Sequence, residues 1–352
     1  MDELSSLGER LIIDKLLSPR YSEQDGFGDD CCIFRLNETN CIVLTIDPCP
    51  QPMSWILGYD DYYYLGWLLA TINLSDIASM GMKPLGLLTS YILPDDTSIQ
   101  SFSRMLDGVD DACRQANTQV FGGNIKEAGF ISCEAVAAGY GEYSNLIRRR
   151  GARDGDFIVV IGDIGLFWAG VLKAKNKINV SGVDEEKLMK NILTPRAKIR
   201  EGQIISGNKL LSSGLDNSDG LYPSVKELAL KNKVDIILDF SEIKWDPAVL
   251  HISKAVGIEP IRLAVGWGDW QLVGTVAPAK YSELIVKMGE IDTPVHRIGR
   301  VVEGSGTVKL SYKGKIGPMT PIESERFSQK SWFTQGIDTY IAELLNTNLI
   351  VE

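Results

Sequence analysis

The chain has 352 residues, 44% of them hydrophobic and 23% charged, with a formal net charge of −10. That length suits two domains, and that apolar share suits a sizeable core. The acidic balance argues against non-specific binding to nucleic acid or an anionic membrane surface, and the most apolar stretch, 65–93, is broken by Asn73, Asp76 and Lys83 before the ~20 residues of a membrane span accumulate.

The first seventeen residues, MDELSSLGERLIIDKLL, mix charged and apolar positions as an amphipathic helix does. They predict a helix over 3–17 closed by Ser18–Pro19, not a signal peptide. The stretch GFGDDCC at 26–32 reads as a turn leading into a strand at 31–35, which pairs with a second at 41–47 across the turn Asn37–Asn40. Pro48, Pro50 and Pro52 then exclude regular structure for several residues. A helix is expected over 60–80, ended by Gly81 and Pro84. Its apolar face runs Leu65, Leu68, Leu69, Ile72, and the next position on it is Asp76. A strand at 84–93, a helix at 98–116, a short strand from Val120 closed by Gly122–Gly123, and a strand at 130–141 follow.

Residues 143–155 are polar and glycine-containing and carry the run Arg148–Arg149–Arg150, which reads as a solvated linker. Beyond it come a strand at 157–161, helices near 165–175, 185–191 and 196–212, a turn at 215–220, and a helix at 222–231. Strands are expected at 234–238, 271–276, 297–302 and 307–310. Strands and helices interleave in both halves, which predicts two α/β domains, 1–145 and 146–352.

The six cysteines, at 31, 32, 41, 49, 113 and 133, form no CxxC pair, and the two histidines, His251 and His296, lie far from them in sequence. The pattern excludes zinc spacing and predicts reduced, core-filling thiols in a cytoplasmic protein.

Four acidic sites share a context: Asp29–Asp30 before a strand, Asp47 at a strand exit, Asp76 on a helix's inner face, and Asp216–Asp219 in a turn before a helix. Singly, these positions could be turn residues, a strand exit and a helix cap. On a buried stripe, however, Asp76 needs a partner. Carboxylates gathered on adjoining element ends repel one another unless a cation lies between them, and oxygen-only donors suit Mg²⁺, which bridges carboxylates to phosphates. No GxxxxGK[ST] is present, and GWGDWQ (266–271) leads into a strand, so it is not a dinucleotide fingerprint.

The run GDD, TID, NLSDIASMGMKPLG, FGGN, RRRGARDGD, DNSDGL resembles thiamine-monophosphate kinase, within the superfamily of aminoimidazole ribonucleotide synthetase and selenophosphate synthetase. The resemblance implies a two-domain α/β (α+β) fold like that of aminoimidazole ribonucleotide synthetase. It also implies an N-terminal sheet paired with its copy in a homodimer, with ATP and Mg²⁺ in the cleft between domains. By position it assigns Asp30, Thr45, Asp47, Asp76, Asp216 and Asp219 to metal binding. It further assigns Asp216 and Asp219 to catalysis, and Gly123, Asn124, Arg149 and Ser218 to the nucleotide.

The departures fall on substrate recognition. The family's Gly-Gly-Asp is here Gly122–Gly123–Asn124, one negative charge fewer. Its Gly-Gly-Glu-Asp-Tyr-Glu-Leu is here Gly266–Trp267–Gly268–Asp269–Trp270–Gln271–Leu272, so the glutamate that touches thiamine aligns with Gly268. Its substrate histidine has no counterpart in PCPQPMSW (48–55). Trp55, Gly268, Asp269 and Trp332 are the candidate substrate contacts, and exchange of an acid and an imidazole for indoles predicts a flatter, more apolar ligand. Four readings stand: an ATP- and Mg²⁺-dependent phosphotransferase acting on another small molecule, an ATP-dependent synthetase working through a phosphorylated intermediate, a non-catalytic nucleotide-binding homologue, and thiamine-monophosphate kinase itself.

Overall fold

The computed structural model describes residues 4–176, 178–179, 184–322, 326–327 and 332–351. Among them two sheets organise the chain. The first contains β1 (Cys32–Arg35), β2 (Asn40–Pro48), β3 (Lys83–Leu93), β4 (Val120–Glu127) and β5 (Ser132–Glu142), in the order β1-β2-β5-β3-β4. The second contains β6 (Phe157–Ile161), β7 (Ser213–Asp216), β8 (Val234–Asp239), β9 (Leu272–Val276), β10 (Val295–Glu303), β11 (Val308–Tyr312) and β12 (Lys315–Pro318), in the order β12-β11-β8-β10-β6-β9-β7. Only β3–β4 and β8–β11 pair in parallel among the described strands. The longer helices are α1 (Tyr62–Ser79), α2 (Ile99–Gln115), α3 (Leu166–Asn176), α4 (Glu185–Leu193), α5 (Ile199–Gly207), α6 (Leu221–Asn232), α7 (Pro247–Val256), α8 (Pro278–Gly289) and α9 (Ile337–Asn346). This is a mixed α/β architecture in two halves.

The first sheet alternates inward and outward residues, as a sheet covered on one face does. Cys41 and Val43 of β2, Leu87 and Tyr91 of β3, and Cys133, Ala135 and Ala137 of β5 pack under α1 and α2. On the other face Phe34, Ile46, Leu88, Phe121 and Tyr140 are exposed. All six cysteines are free thiols, four of them buried. In the second sheet, Ile158 and Val160 of β6 face one core and Val159 and Ile161 another, so the strand FIVVI is apolar throughout. α5 crosses α1 so closely that a Cβ on Gly202 would lie 2.0 Å from the Ala78 carbonyl oxygen, and this crossing joins the halves.

Several local expectations change. The start of the predicted 3–17 helix, residue 3, lies outside the described residues. The helical run continues past Pro19 through Glu9–Ile12, Ile13–Leu17 and Ser18–Tyr21, because Pro19 falls in a first turn, where its missing N–H is not needed. β4 does not close at Gly122–Gly123 but runs to Glu127, held by β3. The helix expected to reach 212 ends at Gly207, and Leu215–Asp216 are strand, since β9 pairs with them. α7, α8, α9 and β12 have no counterpart among the sequence expectations. α1 has no apolar stripe: it is buried on every face from Leu65 to Ser79 except at Asp76, because it lies between the first sheet and the second half. Asp76 is therefore half-buried rather than sealed in a core. Two arginines of the run are paired, Arg148 on Asp25 and Asp29 and Arg149 on Asp30 and Glu227, while Arg150 is exposed. No described helix is long and apolar enough to cross a membrane.

Candidate active site

A cleft of about 500 Å³ lies at the seam of the two halves, and Asp30, Thr45, Asp47, Asp76, Arg149, Asp216, Ser218 and Asp219 all line it. Each carboxylate arrives from a different element. Asp30 ends the GFGDD turn, where Gly26 and Gly28 adopt φ of +85° and +81°, a conformation costly for other residues. Asp47 closes β2, its amide donating to Asn73 Oδ1 of α1 at 3.0 Å. Asp76 belongs to the last turns of α1. Asp216 ends β7, and Asp219 follows in the turn before α6.

Hydroxyls and Arg149 bind this set together. Thr45 Oγ1 donates to Asp76 Oδ2 at 2.5 Å. Ser75 Oγ, across the seam, donates to Asp216 Oδ2 at 2.7 Å, and Ser218 Oγ donates to Asp216 Oδ1 at 2.9 Å. Ser79 donates to Asp30. Arg149 Nε donates to Asp30 Oδ1 at 3.0 Å, and its amide donates to Asp29 Oδ1 at 2.9 Å.

The electrostatics record a shortage of positive charge. Burial, then the neighbouring Asp216, Asp47 and Asp30, push Asp76 well above the carboxylate range. Burial and Asp30 raise Asp216 to about 7, against the hydrogen bonds from Ser75 and Ser218. Burial raises Asp47 to about 6; Arg326 opposes this, while Asp219, Glu9 and Asp30 add to it. Burial works against the charge of Arg149, but Asp30 more than offsets it, so its pKa stands above its usual value.

No described group of three or more His, Cys, Asp or Glu side chains is drawn together tightly enough to cage an ion unaided. Carboxylates dispersed around one cleft, with no described histidine or cysteine in the lining, instead fit Mg²⁺, which takes one or two carboxylates and completes its shell with water and phosphate.

A second cavity of about 710 Å³ adjoins the first and shares Glu9, Asp29, Arg149, Asp216, Ser218 and Asp219 with it. Its far wall carries Arg10, Arg150, Lys231 and Lys233, with Asp14 and Glu227 among them, beside Ile13, Leu17, Phe27 and Leu230. The first cavity's far wall is aromatic, with Phe167, Trp267, Trp270 and Trp332. The carboxylates thus stand at the junction of a chamber of mixed charge, whose unshared wall is basic on balance, and an aromatic one.

Other candidate residues lie elsewhere. Gly123 and Asn124 are on the exposed edge strand β4, beside a separate shallow depression. Asn124 Oδ1 accepts from the Ile125 amide at 3.0 Å. Trp55 packs on Tyr62 with centroids 5.0 Å apart and donates to the Asp61 carbonyl; it does not line the cleft. Asp269 is buried, and its Oδ2 accepts from the Gly165 amide at 2.9 Å at the start of α3. Gly268 is also buried, with φ +86° and the Phe167 ring 3.0 Å from where a Cβ would stand. Trp332 does line the cleft, stacked on Trp267 at 5.0 Å and 10°. Glu9 and Arg326 are lining residues that no motif signalled. They meet because the Glu9 amide donates to the Arg326 carbonyl at 3.0 Å, a contact between distant parts of the chain.

Residues 28–140 match the AIR synthase related protein, N-terminal domain, and residues 153–311 the corresponding C-terminal domain. Thiamine-monophosphate kinase of Escherichia coli (strain K12) is 28% identical over 322 residues, covering 88% of this chain and 96% of its own. The Methanocaldococcus jannaschii kinase is 29% identical over 319 residues, covering 86% and 94%. Among solved structures, AaThiL complexed with AMPPCP and TMP superposes with a TM-score of 0.79 at 27% identity, covering 93% of this chain and 99% of that one.

Proposed function

The chain belongs to the AIR synthase related family, and on that premise we propose that it is a homodimeric enzyme transferring the γ-phosphoryl group of Mg·ATP to a small molecule other than thiamine monophosphate. The observation that carries this is the junction: Asp216, Ser218 and Asp219 belong to both chambers. A donor in the mixed-charge chamber and an acceptor in the aromatic one would meet there. Relatives bearing the kinase name and an ATP-analogue complex at 27% identity support the nucleotide half.

In this reading the mixed-charge chamber holds the nucleotide, with Arg149 and Arg150 beside its phosphates. Mg²⁺, when bound among Asp30, Thr45, Asp47, Asp76, Asp216 and Asp219, neutralises phosphate charge. The acceptor oxygen bonds to the γ-phosphorus as the bond to the β-phosphate oxygen breaks, and ADP leaves with the electron pair. If the oxygen is a hydroxyl, Asp219 or Asp216 at the junction takes its proton. The remaining catalysis is alignment, which the hydrogen bonds of Ser75 and Ser218 supply by fixing Asp216.

We assign the domains to 1–145 and 146–352, and the dimer contact to the open face of the first sheet, where Leu88 and Phe121 are 53% and 64% exposed. Asn124 pairs with Ser90 across the β3–β4 ladder, so it belongs to this surface. Any nucleotide contact it makes is then to the second copy's site.

Thiamine-monophosphate kinase itself is the competing reading, favoured by the names of the relatives. Against it stand the buried, left-handed Gly268, where a side chain would crowd the Phe167 ring, and the missing histidine. The test supplies Mg·ATP with thiamine monophosphate and follows the diphosphate. No turnover is expected; a rate on the order of 1 s⁻¹ or more would replace the proposal with the competing reading.

A further inference from the structure

The four indoles near the cleft differ in what they touch. Trp168, Trp267 and Trp332 pack on one another, with centroids 5.6 Å apart for the first pair and 5.0 Å for the second, and Tyr340 packs on Trp168 at 5.2 Å. They form a core in which each ring already has partners. Trp270 is half-buried, lines the cleft, and has no ring partner among the described residues.

Its backbone is also unusual. Trp270 has φ +47°, a left-handed conformation that is costly for a bulky residue. Such strain persists only where the surroundings impose it, and it concentrates at ligand sites. Here the surroundings are identifiable. The Gly268 amide donates to the Ser218 carbonyl at 3.0 Å, which ties the loop to the aspartate turn. The next residue, Asp269, is buried and accepts from the Gly165 amide at 2.9 Å. The residue after Trp270, Gln271, donates its side-chain amide to the Asp269 carbonyl at 2.8 Å, and its own carbonyl accepts from the Asn217 amide at 2.8 Å. With both neighbours fixed, the loop turns the Trp270 ring into the cleft. Core packing would not require this, since Trp267, at the start of the same loop, already fills the core.

We propose that Trp270 is the specificity-determining residue of the acceptor chamber, and that the acceptor is a planar heteroaromatic molecule whose ring stacks on this indole. The proposal rests on the phosphotransferase reading above and names the substrate class of that same site. A flat π-face on a rigid, pre-positioned indole gains dispersion and stacking energy at little entropic cost, which a flexible polyol cannot match.

The experiment measures binding rather than turnover, so that it stands apart from the kinase reading. Calorimetry with Mg²⁺ and AMPPCP present compares planar hydroxymethyl compounds (pyridoxine, a hydroxymethylpyrimidine, a hydroxymethylindole) with glycerol and ribose. At least one planar probe is expected to bind more tightly than either polyol. Trp270→Ala is expected to weaken that binding about 3–10-fold, and Trp270→Phe to weaken it less. AMPPCP binding is expected to stay unchanged in both.

Trp270→Gly separates function from structure. Glycine relieves the left-handed strain, which offsets the ring's lost contacts and the added freedom of the unfolded chain, so the variant is expected to melt within about 5 °C of the wild type while losing probe binding. A melting temperature lower by more than about 5 °C would assign the ring to the fold instead. Equal binding of planar and polyol probes, or no binding of any planar probe, would overturn the proposal, as would planar binding that the Trp270 variants leave unchanged. Planar binding that depends on Trp270, without phosphoryl transfer to any probe, would uphold it and count against the kinase reading alone.

Discussion

Replacing Gly268 by glutamate puts back the acid that the resembling family carries at this position, in a loop where a side chain crowds the Phe167 ring. The backbone there has φ +86°, which costs a side-chain-bearing residue about 1–2 kcal/mol. The new Cβ would stand 3.0 Å from two atoms of the Phe167 ring. Phe167 is itself buried, with its ring centroid 5.6 Å from that of Trp168 and 5.7 Å from that of Trp267, so it cannot yield freely. Overpacking of this kind costs about 1–3 kcal/mol. Loss of glycine's freedom in the unfolded chain returns about 0.4–1 kcal/mol. The sum is a destabilisation of about 1–5 kcal/mol, a large share of the roughly 5–15 kcal/mol typical of a folded protein.

Urea denaturation of Gly268→Glu and Gly268→Ala beside the wild type measures this cost, the alanine variant isolating the backbone and Cβ contribution from the carboxylate. The companion assay is conversion of thiamine monophosphate to the diphosphate with Mg·ATP, where neither variant is expected to gain activity. A glutamate variant as stable as the wild type that also makes the diphosphate would refute the steric account. The loop would then be adaptable, and the absent acid alone would explain the difference from the family.

Three further outcomes follow from the cleft and the open sheet face. Asp216 and Asp47 have folded pKa values raised to about 7 and about 6 from 3.8, so the folded state holds their protons more tightly than the unfolded chain does. Without metal, their contribution to stability is greatest below about pH 4 and falls as pH rises towards about 7; the melting-temperature gain from Mg²⁺ over EDTA should therefore be larger at about pH 7.5 than at about pH 5.5, and equal gains would count against a shared cation. Asp76→Asn removes a carboxylate crowded by Asp216, Asp47 and Asp30, and is expected to raise the melting temperature in EDTA while abolishing Mg²⁺-dependent ATP turnover; a lower melting temperature would mean that Asp76 serves the fold. Phe121→Asp on the open face is expected to convert dimers to monomers in light scattering at micromolar concentration, and a wild-type monomer would remove the basis for that surface assignment.

The local elements were largely legible in the sequence because they follow from short-range physics. α2, β2, β3 and β5 could be read from period and punctuation, and the carboxylates of the cleft from their positions at element ends. What the sequence could not determine depends on contacts between distant residues. α1 looked amphipathic because a helix's own pattern does not reveal a second half packed against its outer face; only the crossing with α5 shows that it is buried all round and that Asp76 is its opening onto the cleft. Asn124 belonged to a motif next to a turn, yet β3 holds it in the edge strand β4, since strand length is decided by the neighbour that supplies hydrogen bonds. Asp269 and Trp270 are adjacent, and sequence alone does not tell which of them faces the cleft. Tertiary structure separates them, because the amides at the start of α3 capture the carboxylate and leave the indole facing the chamber.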